Sequence, residues 1–165
     1  QEMIKIKLIV FIYCFLTINA FGQRYVVIDK AKYRLSVLEN NDTLFQCTVA
    51  LGKNLGNKEK IGDMKTPEGI FTICSIEKYS RWTHDFRDGK GIIKNAYGPY
   101  FFRLRVPNFK SIGIHGTCKP ETIGTRDSEG CIRLRNEDII QLKHYVKVGM
   151  SCIIEKDFTD NDSNI

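Results

Sequence analysis

The sequence has no Cys-x-x-Cys pair, no His-x-x-x-His pair and only three histidines in 165 residues. The usual spacings of a zinc site are therefore missing. The one ligand set left to consider, His115, Cys118 and Cys131, does not account for the Ser-Glu-Gly-Cys-Ile-Arg run around the last of them, so no metal and no organic cofactor are expected. No run of lysine and arginine interleaved with aromatics argues for nucleic acid. The formal charge of +6 then reads as an ordinary solvated basic surface, which would also steer weakly toward an anionic polymer. Internal repeats and coiled-coil heptads are absent. The apolar run from Leu8 to Thr17 is short for a membrane-spanning helix.

That run has another use. Lys5 and Lys7 precede it, and Ala20-Phe21-Gly22 follows with small residues where a signal peptidase reads. Residues 1–22 are expected to be a secretory signal cleaved before Gln23, with an uncleaved anchor as the alternative, and Met3 as its start. Cys14 lacks small residues just before it, which argues against a lipoprotein site. Residues 23–156 suffice for one domain with its own core, and residues 157–165 for a polar, frayed tail. Export places the chain in the periplasm or cell envelope and brings it to the membrane only transiently.

Past the signal the pattern is mainly β, with strands expected over 25–29, 33–38, 43–51, 70–76, 100–106, 111–115 and 151–155. The alternation of Tyr33, Leu35 and Val37 marks one buried face. The glycine- and lysine-bearing stretch 52–63 reads as loop, and Thr66-Pro67-Glu68-Gly69 as a turn. The irregular stretch 78–98 is long for a connection in a compact domain; it reads either as a flap over a groove, with Trp82 and Tyr97 as apolar contacts, or as a surface insertion. One principal helix is expected from Asn136, as cap, through about Val148, closed by Gly149.

The chemistry concentrates in two stretches. In the first, Gly113-Ile114-His115-Gly116-Thr117 puts a histidine at a strand end, a rigid mount that leaves the ring open to a cleft. The second, Ser128-Glu129-Gly130-Cys131-Ile132-Arg133-Leu134, puts a cysteine sixteen positions later. A free thiol has a pKa of about 8.5 and needs a base to act near neutrality; His115 suits that role. Gly130 permits a tight turn beside the nucleophile, where the N–H groups of Gly130 and Cys131 could hold an oxyanion. In an extended segment Arg133 shares the face of the thiol and could bind a substrate carboxylate. Five cysteines follow residue 22, an odd number, so an exported chain retains at least one free thiol. Cys131 satisfies that arithmetic. Cys47, Cys74 and Cys152 read as small buried hydrophobes with any disulfide unassignable, and Cys118 as a loop cysteine or a resolving thiol. His84 belongs to the irregular stretch and His144 to the helix, so neither competes well as base.

His115-Gly116, the fifteen residues before Cys131, and the Ser128 to Leu134 run resemble the signature of the L,D-transpeptidase catalytic domain, the YkuD-like family of cell-wall cross-linking enzymes. Two further blocks, Lys65-Thr66-Pro67-Glu68-Gly69-Ile70-Phe71 and Ala96-Tyr97-Gly98-Pro99-Tyr100-Phe101-Phe102, resemble family blocks in the right order. The resemblance runs over residues 24 to 155. It implies a β-sandwich or open-barrel domain with one principal C-terminal helix, and acyl transfer between peptidoglycan stem peptides, from a tetrapeptide donor to a diamino-acid side-chain amine, with release of D-alanine. It implies Cys131 as nucleophile, His115 as its base, Gly116 as the carbonyl that orients the imidazole, and Arg133, with Ser128 and Glu129, at the substrate. Glu129 departs from the pattern, since many members have a second histidine there. Two related readings stay open: an L,D-carboxypeptidase using the same pair, and a wall-binding module that keeps the fold without catalysis. A thiol redox protein built on Cys118 and Cys131 is a third.

Overall fold

The computed structural model describes residues 23–78 and 82–157. The expected signal segment and residues 158–165 lie outside the described residues. Twelve strands and one α-helix form the described part: β1 (Tyr25–Asp29), β2 (Arg34–Glu39), β3 (Asp42–Thr48), β4 (Leu51–Gly52), β5 (Gly69–Lys78), β6 (His84–Asp85), β7 (Ile92–Ile93), β8 (Tyr100–Leu104), β9 (Gly113–His115), β10 (Arg126–Ser128), β11 (Ile132–Arg133), α1 (Asn136–Leu142) and β12 (Ser151–Ile154). A 3-10 turn spans Pro120–Thr122.

Eight strands make one curled sheet in the order β11-β9-β8-β5-β12-β1-β2-β3. Period-two alternation drives its inner face: Val26 and Ile28, Leu35 and Val37, and Cys152 and Ile154 are buried, while their neighbours along each strand are less so. The C-terminal strand β12 does not add to an edge. It enters the middle, parallel to β1 and antiparallel to β5. Ala50, just past β3 at one edge, exchanges both backbone hydrogen bonds with Arg133 of β11 at the other, at 2.8 and 2.9 Å. That single bridge joins the chain just past one edge to the other edge strand, while β3 itself pairs only with β2. Ile139 and Leu142 of α1 pack into the same core as Phe102, Leu104, Ile114 and Leu134.

Three sequence expectations change. The helix ends at Leu142, well before Val148, because Tyr145 turns to stack on Phe45 at 5.5 Å and the following backbone tightens into bonds from His144 to Gln141 and from Tyr145 to Leu142. Its cap residue is Arg135, with no side-chain cap; Asn136 is spent elsewhere, as described below. Asp157 is no frayed tail residue. It is 7 % exposed and ion-pairs with Lys30 at 2.8 Å and with Arg126. Lys30 is fully buried, donating also to Glu68 at 2.7 Å and to the carbonyls of Gly56 and Thr66. A lysine between two strands ordinarily reads as surface; here it ties the segment just after β12 to both ends of the loop around residues 56–66.

Candidate active site

The site forms where β11 lies parallel to β9, with Ile132 opposite Ile114 and Arg133 opposite His115. That register sets Cys131, at the start of β11, beside Gly113, with His115 two residues along the neighbouring strand on the same face. Strand spacing and rise put the two Cα atoms about 8 Å apart, within reach of side chains that lean together. The loop over residues 117–130, expected to fold back, does so through β10, which pairs with β4.

His115 is 4 % exposed. Its Nδ1 lies 2.6 Å from the Gly116 carbonyl. A carbonyl only accepts, so Nδ1 carries the hydrogen and Nε2 keeps the lone pair. Phe101 stacks against the ring at 5.2 Å and 7°, and Tyr97 meets it edge-on at 4.9 Å. Burial pushes the imidazole pKa down to about 3; the Gly116 bond opposes this, and Arg133 and His84 add to it. The ring is neutral near pH 7. Gly116 has no room for a Cβ, which would overlap Asn136 Oδ1 and come within 3.0 Å of Gly98. Asn136 Oδ1 accepts the Thr117 N–H at 2.9 Å, so the first residue of α1 braces the turn that carries the histidine and its orienting carbonyl. Sequence reading assigned Asn136 to the helix; a polar residue three positions before a hydrophobic run gives no sign of a contact nineteen residues upstream.

Cys131 is partly exposed, and its Sγ donates to the Ser111 carbonyl at 3.3 Å. Burial raises the thiol pKa to about 11, against a backbone hydrogen bond from Gly113 and the charges of Arg133 and Lys58, with Glu129 adding to the rise. The resting pair is thus a neutral thiol and a neutral imidazole. Gly130 has φ +128 and its Cβ would stand 2.7 Å from the Lys65 carbonyl, so only glycine fits there. Its N–H donates to Ser128 Oγ at 3.1 Å, which corrects its expected part in an oxyanion hole and leaves the Cys131 N–H as the candidate. Ser128 is buried and donates in turn to the Cys131 carbonyl at 2.5 Å. Its hydroxyl joins the Cys131 carbonyl and the Gly130 N–H and so shapes the loop that carries the thiol.

The other expected contacts separate as well. Arg133 is 2 % exposed and pairs with Asp127 at 2.7 Å, leaving buried Nε and Nη1 without partners. Stretch 78–98 contains a small hairpin, β6 with β7, and covers the site: Tyr97 OH lies 3.1 Å from His84 Nδ1, and His84 Nε2 lies 3.2 Å from Glu129 Oε2. Lys119 holds the same stretch through Asp88 at 3.2 Å and the Phe86 ring at 4.1 Å. Trp82 stands one layer back, against Phe101 at 5.4 Å, and supports the ring beneath His115. Among the described residues all five cysteines are free, and no group of three or more His, Cys, Asp or Glu side chains is arranged to hold a metal.

The chain matches the YkuD family, described as L,D-transpeptidase catalytic domain, over residues 23–154. It is 40% identical over 130 residues to a Bacillus licheniformis protein named "Putative L,D-transpeptidase YkuD", covering 73% of this chain and 64% of that one. It is 29% identical over 138 residues to "Putative L,D-transpeptidase YqjB" of Bacillus subtilis, covering 82% and 73%. Among solved structures it resembles an L,D-transpeptidase from Mycobacterium smegmatis, with TM-score 0.62, 19% identity and coverage of 81% of this chain and 59% of that chain. L,D-transpeptidase 3 from Mycobacterium tuberculosis, in complex with a faropenem-derived adduct, gives TM-score 0.63 and 16% identity, with 82% and 61% covered. These likenesses establish the mainly β fold. The chain spans under two thirds of the Bacillus licheniformis relative and of both solved chains.

Proposed function

Since the chain belongs to the L,D-transpeptidase catalytic-domain family, we propose that it cross-links peptidoglycan stem peptides by acyl transfer through a thioester on Cys131. One observation carries the residue assignment: the Gly116 carbonyl commits His115 Nδ1–H at 2.6 Å and so reserves Nε2 as a base on β9, which pairs with β11, the strand that Cys131 leads into.

The resting protonation states define the steps. The Cys131 thiol passes its proton to His115 Nε2 as sulfur attacks the carbonyl of the third stem residue, so no standing thiolate is needed. The oxyanion that forms is held by the Cys131 N–H. Collapse breaks the C–N bond, and His115 returns the proton to the departing D-alanine amine. The thioester keeps the bond energy, which matters outside the cytoplasmic membrane, where ATP is absent. A side-chain amine of a second stem then gives a proton to His115 and attacks the thioester, the cross-link amide forms, and the proton returns to sulfur. No cofactor enters. Arg133 stands under the site with two buried donors free for a carboxylate, and Glu129 and Tyr97 line the approach from the covering stretch. This substrate requires a chain exported to the periplasm or cell envelope, in keeping with the signal pattern of residues 1–22. Hydrolysis of the thioester, the carboxypeptidase reading, is not favoured.

The test is intact-mass spectrometry of the protein and of Cys131→Ala after incubation with a disaccharide-tetrapeptide, with products followed in parallel. A Cys131-dependent acyl adduct, released D-alanine and a dimeric product are expected. A folded protein with reduced thiols that gives neither adduct nor turnover would overturn the proposal, and free tripeptide without dimer would replace the transpeptidase by a carboxypeptidase.

A further inference from the structure

The lysine-bearing loop ahead of the Thr66 turn brings one buried cation to the nucleophile. Lys53 and Lys60 of that loop are exposed. The Lys58 side chain is 5% exposed, with its Nζ 2.7 Å from Asp63 Oδ1 and 5.1 Å over the Phe109 ring. Asp63 does not serve Lys58 alone, since its carboxylate also accepts the N–H groups of Glu59, Lys60 and Lys65. That shared carboxylate pins the loop and leaves part of the lysine's positive field uncompensated. Gly130 abuts the ammonium directly: a Cβ there would stand 3.6 Å from Lys58 Nζ. The cation therefore lies against the residue that precedes Cys131.

We propose that Lys58 is a positioning residue of the site, whose ammonium, fixed by Asp63 and Phe109, stabilises the negative charge on Cys131 as its proton leaves for His115. Lys58 gives up no proton and forms no bond. The S–H proton goes to His115 Nε2, and the charge that develops on sulfur lies in the field of the ammonium. Burying a charge is costly unless it is paired, and the same low-dielectric setting makes the field strong at the sulfur. The other groups whose charges act on that sulfur, or on which it acts, are Arg133 on β11, Glu129 on the preceding loop and Tyr97 on the covering stretch; His115 stands on the neighbouring β9, with His84 acting on it. Lys58 and Arg133 are the cations among them that pull the thiol pKa down. The inference rests on Cys131 being the nucleophile, as proposed above.

The pH dependence of Cys131 alkylation by iodoacetamide, resolved by peptide mapping, tests it without any peptidoglycan substrate. Lys58→Gln, which keeps a hydrogen bond to Asp63 and removes the charge, and Lys58→Met should each raise the apparent thiol pKa by about one unit, a roughly tenfold slower alkylation at pH 8. Lys58→Arg should return the profile close to that of the unaltered protein, and Lys60→Met should leave it unchanged. A folded Lys58→Gln with the unaltered profile overturns the proposal, as does a Lys58→Arg variant that loses as much as Lys58→Gln. Stem-peptide turnover of the unaltered protein separates the two claims: turnover with no profile shift sinks Lys58 alone, and a profile shift without turnover sinks the transpeptidase reading while Lys58 stands.

Discussion

Replacing Lys30 by Met should unfasten the loop beneath the site. Its Nζ contacts Glu68 at 2.7 Å, Asp157 at 2.8 Å, and the Gly56 and Thr66 carbonyls at 3.0 and 3.3 Å. Methionine fills much the same volume and supplies none of these bonds. Glu68 and Asp157 stay behind with side chains only 13% and 7% exposed, and breaking one side of such a pair costs about 3–5 kcal/mol. Arg126 remains beside Asp157, which favours the lower end, about 3 kcal/mol. For a domain of this size that is a fall in Tm of roughly 10 °C. The pH dependence is the sharper assay. Burial raises the Asp157 carboxyl pKa, but bonds from Lys30 and the Gly56 N–H, with the Lys30 and Arg126 charges, outweigh it and hold the pKa below 3.8. A carboxylate with a lowered folded pKa stabilises fully above its unfolded value and loses that contribution as pH falls through the folded one. Denaturant melts should therefore show a gap between the unaltered protein and Lys30→Met that is wide at pH 7 and narrows from pH 5 to pH 3. A gap under about 1 kcal/mol at pH 7, or one that does not change with pH, would refute the reasoning.

Gly130→Ala must place a Cβ against the Lys65 carbonyl at φ +128; it should cost about 1–3 kcal/mol and abolish Cys131 acylation, read by melts and by adduct mass. Asn136→Ala leaves the Thr117 N–H without its partner, worth about 1–3 kcal/mol, and should slow acylation more than tenfold in a protein that still melts cooperatively; unaltered kinetics would show that the His115 turn needs no brace. Because burial holds the His115 pKa near 3, the ring stays an unprotonated base well below pH 6.5. Acylation should therefore persist to about pH 4, and an acid limb centred near 6.5 would contradict the buried neutral imidazole. Treatment with a chelator should leave turnover unchanged.

Local pattern was readable wherever it reflects local physics. Alternation in Leu35 and Val37 marked the inner face of β2, and Gly130 flagged the tight backbone approach beside Cys131, whereas the crowding at Gly113 and Gly116 showed only in the fold. The thiol and imidazole, sixteen residues apart, were identified by residue type, spacing and family resemblance together. What failed to show were contacts across the sheet. Lys30 looks like a surface lysine in the sequence and is a buried cation in the fold, because its acidic partners lie at positions 68 and 157; the partner of Lys58, Asp63, is local, and what the sequence hid is its burial against Phe109 and Gly130. Asn136 looked like a cap, and its side-chain Oδ1 accepts the Thr117 N–H instead. The Gly130 N–H looked available, and Ser128 takes it.

The sequence alone determined a mainly β chain with a cysteine and histidine in the spacing of the family it belongs to, since alternation, glycine placement and side-chain chemistry are properties of short segments. Only the tertiary structure decided that β12 enters the sheet centre beside β1 and that Ala50 bridges to Arg133 of β11. It likewise decided the His115 tautomer, the neutral resting pair and the cation beside Cys131. Each depends on burial and on neighbours far apart in the chain, and desolvation, the largest influence on both His115 and Cys131, exists only once the chain has folded around them.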